Sequence, residues 1–271
     1  MVEQTTTGQI SEITQASSRS ARTLPSISLQ VLSPAALLAL WELSARLGLI
    51  EIKFFPAPSA IAATFWQLAW TGQFWQDIGI SVGRMVIGFF MGAVPGLLLG
   101  LAMGLFMPVR NIFQPLIAAI YPLPKIALLP LILLVFGLGE MSKYVIVAIG
   151  VFFLMAINAM AGVINIPSIY FDVPKNLKAS RWKIYATVAF PGALAGIFVG
   201  LRICVGTALL LLVAAEFVGA NEGIGFRLWW SWTVFWVNNM YVGFAVIAVL
   251  GFLLNFIVDY CERRWLPWQG R

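Results

Sequence analysis

Ionisable residues are scarce in this chain, and three of them, Lys125, Arg202 and Glu216, sit inside long apolar runs. A charge surrounded by hydrocarbon has to be paired, hydrated or used, so each is a candidate for the path of a charged solute. Lys125 or Arg202 would lower the barrier for an anion at the centre of a bilayer. The competing readings are structural: Lys125 can snorkel to the nearer face, and Arg202 can satisfy carbonyls or a neighbouring helix. Glu216 could carry a coupling proton; it lies ~21 Å from Arg202 along one helix, too far to pair with it. The chain has no His, which removes the usual neutral-pH base and the commonest metal ligand. Cys204 and Cys261 are too few for a tetrahedral zinc site and read as packing residues. No pair of catalytic carboxylates and no G-x-x-x-x-G-K-[ST] phosphate loop is present. The expectation is no catalytic residue, no metal and no cofactor bound by this chain.

Holding such residues takes long apolar elements. Of 271 residues, 61% are hydrophobic and 10% charged, and the mean hydropathy is +0.91. Soluble domains run near half apolar and a quarter charged, so lipid is the fitting solvent. Residues 1–27 lack an apolar period and read as a flexible cytoplasmic tail; residues 28–271 form one transmembrane domain. Apolar runs at about 29–50, 79–106, 112–137, 144–165, 192–217 and 238–260 are continuous and close to the ~20 residues that cross hydrocarbon as a helix. The class is therefore all-α with six spans, since barrel strands would alternate. In the first span Glu42 and Arg46 are one helical turn apart and can pair. The net charge of +6 is scattered at the ends of the runs, which argues for topology and against nucleic acid. Arg19, Arg22, Arg110, Lys175, Lys178, Arg181, Lys183, Arg263, Arg264 and Arg271 fall on one side, and Arg46, Lys53, Arg84, Lys143 and Arg227 on the other. The richer side is expected inside, with both termini cytoplasmic and the chain multi-pass in the plasma membrane. Pro58–Ile78 then lies outside, its Trp66, Trp70 and Trp75 suiting an interfacial helix, with Trp229, Trp230, Trp232 and Trp236 in the next outer loop; the tryptophans read as an interfacial belt or as an aromatic wall facing a substrate.

Two spans carry glycine at steps of four: Gly88, Gly92, Gly96, Gly100 and Gly104 in the second, and Gly192, Gly196 and Gly200 in the fifth. Such stripes expose backbone and let another helix approach closely, within one subunit or across a dimer. Pro95 beside the first stripe is expected to kink it. The third span contains Pro115, Pro122, Pro124 and Pro130 around Lys125. Prolines at that density release carbonyls that lipid cannot satisfy, so the stretch must be shielded by protein or line a wet cavity. Broken helices of this kind often mark transport paths.

Residues 166–191 are the longest internal polar insert, on the expected inner side. A helix can start near Asp172–Pro174. From there Leu177, Trp182, Ile184, Tyr185 and Val188 offer an apolar side, while Lys175, Lys178, Arg181 and Lys183 stay wet. The stretch reads as a docking knob for a soluble partner or a basic helix resting on anionic lipid.

From about Phe55 to Trp265 the sequence resembles the permease subunit of binding-protein-dependent ABC importers, in the branch serving sulfonates, taurine, nitrate and bicarbonate. The passages that carry the resemblance are SVGRMVIGF, YPLPKIALLPLILLVFGLGEMSK and FPGALAGIFVGLRI…LLVAAEFVGANEGIG. It implies the MetI-like fold of type I importers, and a subunit that is not itself an enzyme. The implied partners are a second permease copy, two cytoplasmic ATPase subunits that bind ATP and Mg, and a periplasmic or lipid-anchored solute-binding protein. The family's cytoplasmic signature is Glu-Ala-Ala, three residues, Gly, nine residues, then Ile-x-Leu-Pro. Counting back from Pro191, this chain offers Asp172, Val173 and Pro174, then Lys178 at the glycine position, then Val188 and Phe190. The resemblance makes Asp172, Val173, Pro174, Lys175, Lys178, Arg181, Trp182 and Pro191 the ATPase-coupling candidates. A secondary transporter or channel working through Glu216 is the alternative; it should show two matching halves, and none is evident.

Overall fold

The structure, a computed structural model, describes residues 26–176 and 178–267, the side chains at 26–31, 175 and 181 excepted. Nearly all of the expected N-terminal tail lies outside the described residues. The described secondary structure is helical throughout, and the chain divides into two compact units, 1–60 and 61–271.

In the first unit α1, Ser26–Arg46, occupies the expected first span. The Glu42–Arg46 pair forms at 2.6 Å, and Glu42 also accepts from the Ser59 backbone N–H and hydroxyl at 2.9 and 2.8 Å. One carboxylate thus ties the last turn of α1 to the start of α2, Pro58–Ala69, a helix that runs on into the second unit.

The second unit is organised around one helix. After α3, Gly72–Leu105, come α4, Met107–Ile120, a 3₁₀ turn at Lys125–Leu128, α5, Leu129–Phe136, and α6, Glu140–Ile164. Helix α6 packs along α3 on one side and along α9, Phe190–Gly219, on the other. Both contacts are made by glycine. A methyl group added at Gly88 would lie 2.8 Å from the Val147 Cβ, and one at Gly96 would lie 2.6 Å from the Phe152 carbonyl oxygen. Gly92 and Gly100 press still closer on the carbonyls of Ala148 and Ala156, and Gly104 meets Val163. From the other side Gly192 meets Ile166, Gly196 meets Gly162 and Gly200 meets Asn158. Lipid offers no hydrophobic drive for helix association, so this close van der Waals contact is what holds the bundle. Both stripes are used within one chain. Met85, Phe89, Val147, Val151, Met155, Ile197, Cys204 and Leu212 fill the rest of the core.

Several expected boundaries move. Helix α3 starts at Gly72 and not at residue 79, so α2 ends at Ala69 and the interfacial segment is shorter than Pro58–Ile78. It also runs through Pro95 without interruption. The third span is two helices, Met107–Ile120 and Lys125–Phe136, bent by 86° at the proline-rich break. Among the described residues four helices are long and apolar enough to cross a membrane, or five if the bent pair is one span, against the six expected; α1, the expected first span, is not among them. Beyond α6 lie α7, Ile169–Asn176, and α8, Arg181–Ile184, which joins α9 through a π-type turn at Tyr185–Ala189. Then come α10, Ile224–Thr233, and α11, Val237–Trp265, which packs against α9 and α10.

Candidate functional site

The sequence-derived candidates fall at three heights along α6. At the end where α6 stops lies the 166–191 segment. A single helix through 172–188 does not form. Helix α7 starts three residues earlier than Asp172 and carries Pro174 inside it, and the chain then turns at Lys178, whose φ is 52°. The Ser180 hydroxyl accepts the Lys183 N–H at 3.3 Å, which restarts the chain as α8. A left-handed residue ends a helix at little cost only when it is glycine, so the position that the family signature gives to glycine keeps the glycine conformation while holding a lysine. Outward from α7 project Ile169, Tyr170 and Val173, all exposed. Trp182, 74% exposed, stacks on Tyr185 with ring centroids 5.4 Å apart and planes 15° from parallel. Pro191 lies in the first turn of α9 and lines, with Tyr170, Val188 and Gly192, a cavity of about 540 Å³. Asp172 is exposed on α7, and the side chains of Lys175 and Arg181 fall outside the described set.

Halfway along α6 the break between α4 and α5 comes against Phe153. The Lys125 ammonium donates to the Tyr121 carbonyl oxygen and lies 4.6 Å from the Tyr121 ring centroid and 6.0 Å from that of Phe153. No carboxylate pairs with it among the described residues. Arg202, twelve residues into α9, is different. It is held by Asp259, and by Glu262 at 2.7 Å, both from α11. Two carboxylates against one guanidinium leave that cluster with a net charge of −1, which weakens the case for Arg202 as an anion contact.

At the far end, where α6 begins, a polar network joins four helices. The Arg84 guanidinium, 3% exposed, donates through Nε and Nη2 to Glu140 at 2.6 and 2.7 Å. Its Nη1 donates to Glu216 at 2.8 Å and to the Glu222 carbonyl at 2.7 Å. Glu216, fully buried, also accepts from the Ser81 hydroxyl at 2.8 Å and the Gly225 N–H at 2.8 Å. The Ser81 oxygen accepts the Ile224 N–H in turn, at 2.8 Å. Alongside, Asp77 accepts the Gly223 N–H at 2.9 Å and pairs with Arg227 at 2.7 Å. Gly223 has φ 113°, and a side chain there would meet Glu216 and Arg84. Burial of so many charges is tolerable because each has a partner. The network seats the N-terminus of α10 on α3. On α10 and just after it stand the four tryptophans, Trp229 against Trp232 at 4.9 Å and Trp230 against Trp236 at 6.1 Å.

Lys125, Arg202 and Glu216 therefore share no partner: Lys125 and Arg202 lie near mid-height, where Gly200 and Cys204 flank Arg202 against Asn158 and Val151, and Glu216 lies at the far end. Sequence reasoning used Arg84, Lys143 and Arg227 only as topology charges and passed over Asp77, Ser81, Glu140, Asp259 and Glu262. One signal was available: a glycine-flanked acidic stretch, AEFVGANEGIG, after an apolar span, since glycines beside a buried carboxylate mark close backbone approach.

The family described as the binding-protein-dependent transport system inner membrane component matches residues 96–266. The taurine transport system permease protein TauC of Escherichia coli (strain K12) is 34% identical over 249 residues, 90% of each chain. The putative aliphatic sulfonates transport permease protein SsuC of Bacillus subtilis (strain 168) is 31% identical over 240 residues, 89% of this chain and 87% of that one. In fold the chain is similar to an inward-facing form of the MetNI methionine ABC transporter, with a TM-score of 0.62 and 18% identity over 73% of this chain and 98% of the other. A glycine-packed bundle with a broken span, matched along most of its length by these permeases, places the chain in the family of binding-protein-dependent ABC importer permeases.

Proposed function

We propose that this chain is the membrane-spanning subunit of an ATP-driven importer for a small oxyanion of the sulfonate, taurine, nitrate or bicarbonate class. Two copies form the permease pair in the bacterial inner membrane, with both termini cytoplasmic. Two cytoplasmic ATPase subunits, which hold the ATP and Mg, seat on residues 169–185 of each copy. A periplasmic or lipid-anchored binding protein delivers cargo to the α2 and α10 end. The observation that carries this reading is the 34% identity to a taurine permease across 90% of both chains. The exposed α7–α8 knob supports it too, since a secondary transporter has no use for a docking surface of that kind.

Mechanically, the chain contributes a path and levers while hydrolysis happens elsewhere. Closure of the ATPase pair moves α7 and α8, and α8 is joined to α9 by the turn at 185–189. Helices packed this closely move as rigid bodies, so the motion carries α9 and α6 together and alternately opens the two ends of the path. Glu216 is a poor coupling carboxylate, because both of its oxygens already accept hydrogen bonds from Arg84, Ser81 and Gly225. The test is uptake of taurine, ethanesulfonate and nitrate into proteoliposomes holding the chain with its cognate ATPase and binding protein. Uptake is expected to require ATP and to vanish when the ATPase phosphate-loop lysine is replaced. Uptake that survives that replacement and follows a proton gradient overturns the reading in favour of a secondary transporter.

A further inference from the structure

We infer that Lys125 is the residue that takes the oxyanion head of the cargo at mid-depth in the path. The inference rests on the importer reading above and names its substrate contact.

Depth comes first. Phe153 lies thirteen residues from the start of α6 at Glu140 and eleven from its end at Ile164, so ~20 Å and ~17 Å from the two ends. The Lys125 ammonium is 6.0 Å from the centroid of that ring. It therefore sits at mid-height of the bundle, whereas a snorkelling lysine carries its ammonium to one of the faces. Charge balance comes second. Among the described residues, three cations stand away from the ends of their own helices or of the bent pair: Arg84, whose guanidinium lies at the far end, and Lys125 and Arg202 near mid-height. Arg84 is matched by Glu140 and Glu216, and Arg202 by Asp259 and Glu262. Lys125 has a carbonyl and two ring faces. It is the mid-depth cation whose charge the chain leaves unbalanced, and an ammonium in that state is costly in hydrocarbon.

The backbone around it points the same way. Pro122 and Pro124 donate no N–H, and residues 121–124 are exposed at the 86° break. Exposed irregular backbone at this depth cannot face acyl chains; it must line water or protein. The elbow therefore faces water or protein and not acyl chains, and it carries a positive charge. An ammonium has three N–H donors, and one is spent on the Tyr121 carbonyl. The remaining donors suit the oxygens of a sulfonate, a carboxylate or nitrate, and the Tyr121 and Phe153 rings leave an apolar flank for a short alkyl stem.

The experiment uses the complete transporter in proteoliposomes, with uptake normalised to assembled complex. Lys125→Gln is expected to lower ATP-dependent uptake of ethanesulfonate and nitrate by ~10-fold or more, and Lys125→Arg to stay within ~3-fold of the parent. A second arm places Lys125→Cys in a Cys261→Ser background, Cys204 being buried. Aminoethyl methanethiosulfonate rebuilds an ammonium there and should restore uptake, while methyl methanethiosulfonate should not. Parent-like uptake by Lys125→Gln, or equal behaviour of the two reagents, overturns the assignment of Lys125 while the importer reading stands. If the parent complex takes up none of taurine, ethanesulfonate and nitrate in an ATP-dependent way, the importer reading for small oxyanions fails, and the contact fails with it.

Discussion

Lys178 shows how one side chain can stand against the backbone it occupies. A left-handed conformation costs an L-residue with a Cβ about 1 kcal/mol relative to glycine, and the φ of 52° at this position is of that kind. Lys178→Gly is therefore expected to slow amide exchange in residues 170–182 by about fivefold, which is about 1 kcal/mol, without loss of ATPase association. Lys178→Val, β-branched at the same φ, is expected to weaken co-purification of the ATPase by about tenfold. Hydrogen-exchange mass spectrometry and pull-down check the two. Arg202 gives the opposite lesson, since its sequence position suggests a ligand contact and its neighbours suggest a brace. Arg202→Gln leaves Asp259 and Glu262 crowded together without their cation. With all three side chains partly solvated, the expected cost is about 1–2 kcal/mol, seen as a lower Tm in detergent. Asp259→Asn in the same chain should recover part of it. Anion concentration dependence of uptake should not move; a tenfold rise in the half-saturating concentration would make Arg202 a substrate contact after all.

Among the elements, α6 depends on glycine from both sides of its contacts, its neighbours' stripes and its own Gly150 and Gly162. Gly100 presses on the Ala156 carbonyl and the Ala159 Cβ, and both stand on the rigid backbone of α6. Gly100→Leu should force α3 off α6 and abolish assembly, whereas Gly206→Ala, where nothing lies within reach of a new methyl, should be silent. Monodispersity on size-exclusion chromatography reads both. The far-end network is the second device that fixes elements, because it determines where α10 sits. Arg84→Met leaves a fully buried Glu216 without its cation and is expected to cost about 3–5 kcal/mol. Arg84→Met with Glu216→Leu removes both charges and should be less harmful than the single change, a non-additivity read directly from the two melting temperatures.

At the scale of the molecule, the asymmetry between the ends is the functional feature. One end presents α7 and α8 with their exposed apolar side chains; the other presents a locked α10 with its tryptophans. A locked far end suits the proposed machine driven from the other side, and it predicts where labels will report. With ATP and vanadate added to the assembled transporter, a spin label at Ser180 is expected to lose mobility as the ATPase closes over it, and one at Thr233 to change less. Equal changes at both sites would contradict motion driven from the 169–185 end.

Composition and the spacing of residues were enough to read an all-helical membrane domain, its glycine stripes, its broken third span and the position of its polar loop. Those are local properties: hydropathy over ~20 residues, a four-residue glycine step, proline density. The family resemblance was also legible, because its motifs are contiguous in the chain. The pairings were not. Arg84 meets Glu216 across 132 positions, and Arg202 meets Asp259 across 57; a linear pattern cannot say which of two intramembrane cations has its charge already balanced. Only the tertiary structure separates the buttressed Arg202 from the unbalanced Lys125, because charge compensation depends on distance in space. It also decides that the chain turns at Lys178 within the 166–191 segment, since the sign of φ at one residue is set by the surrounding chain and not by its side chain.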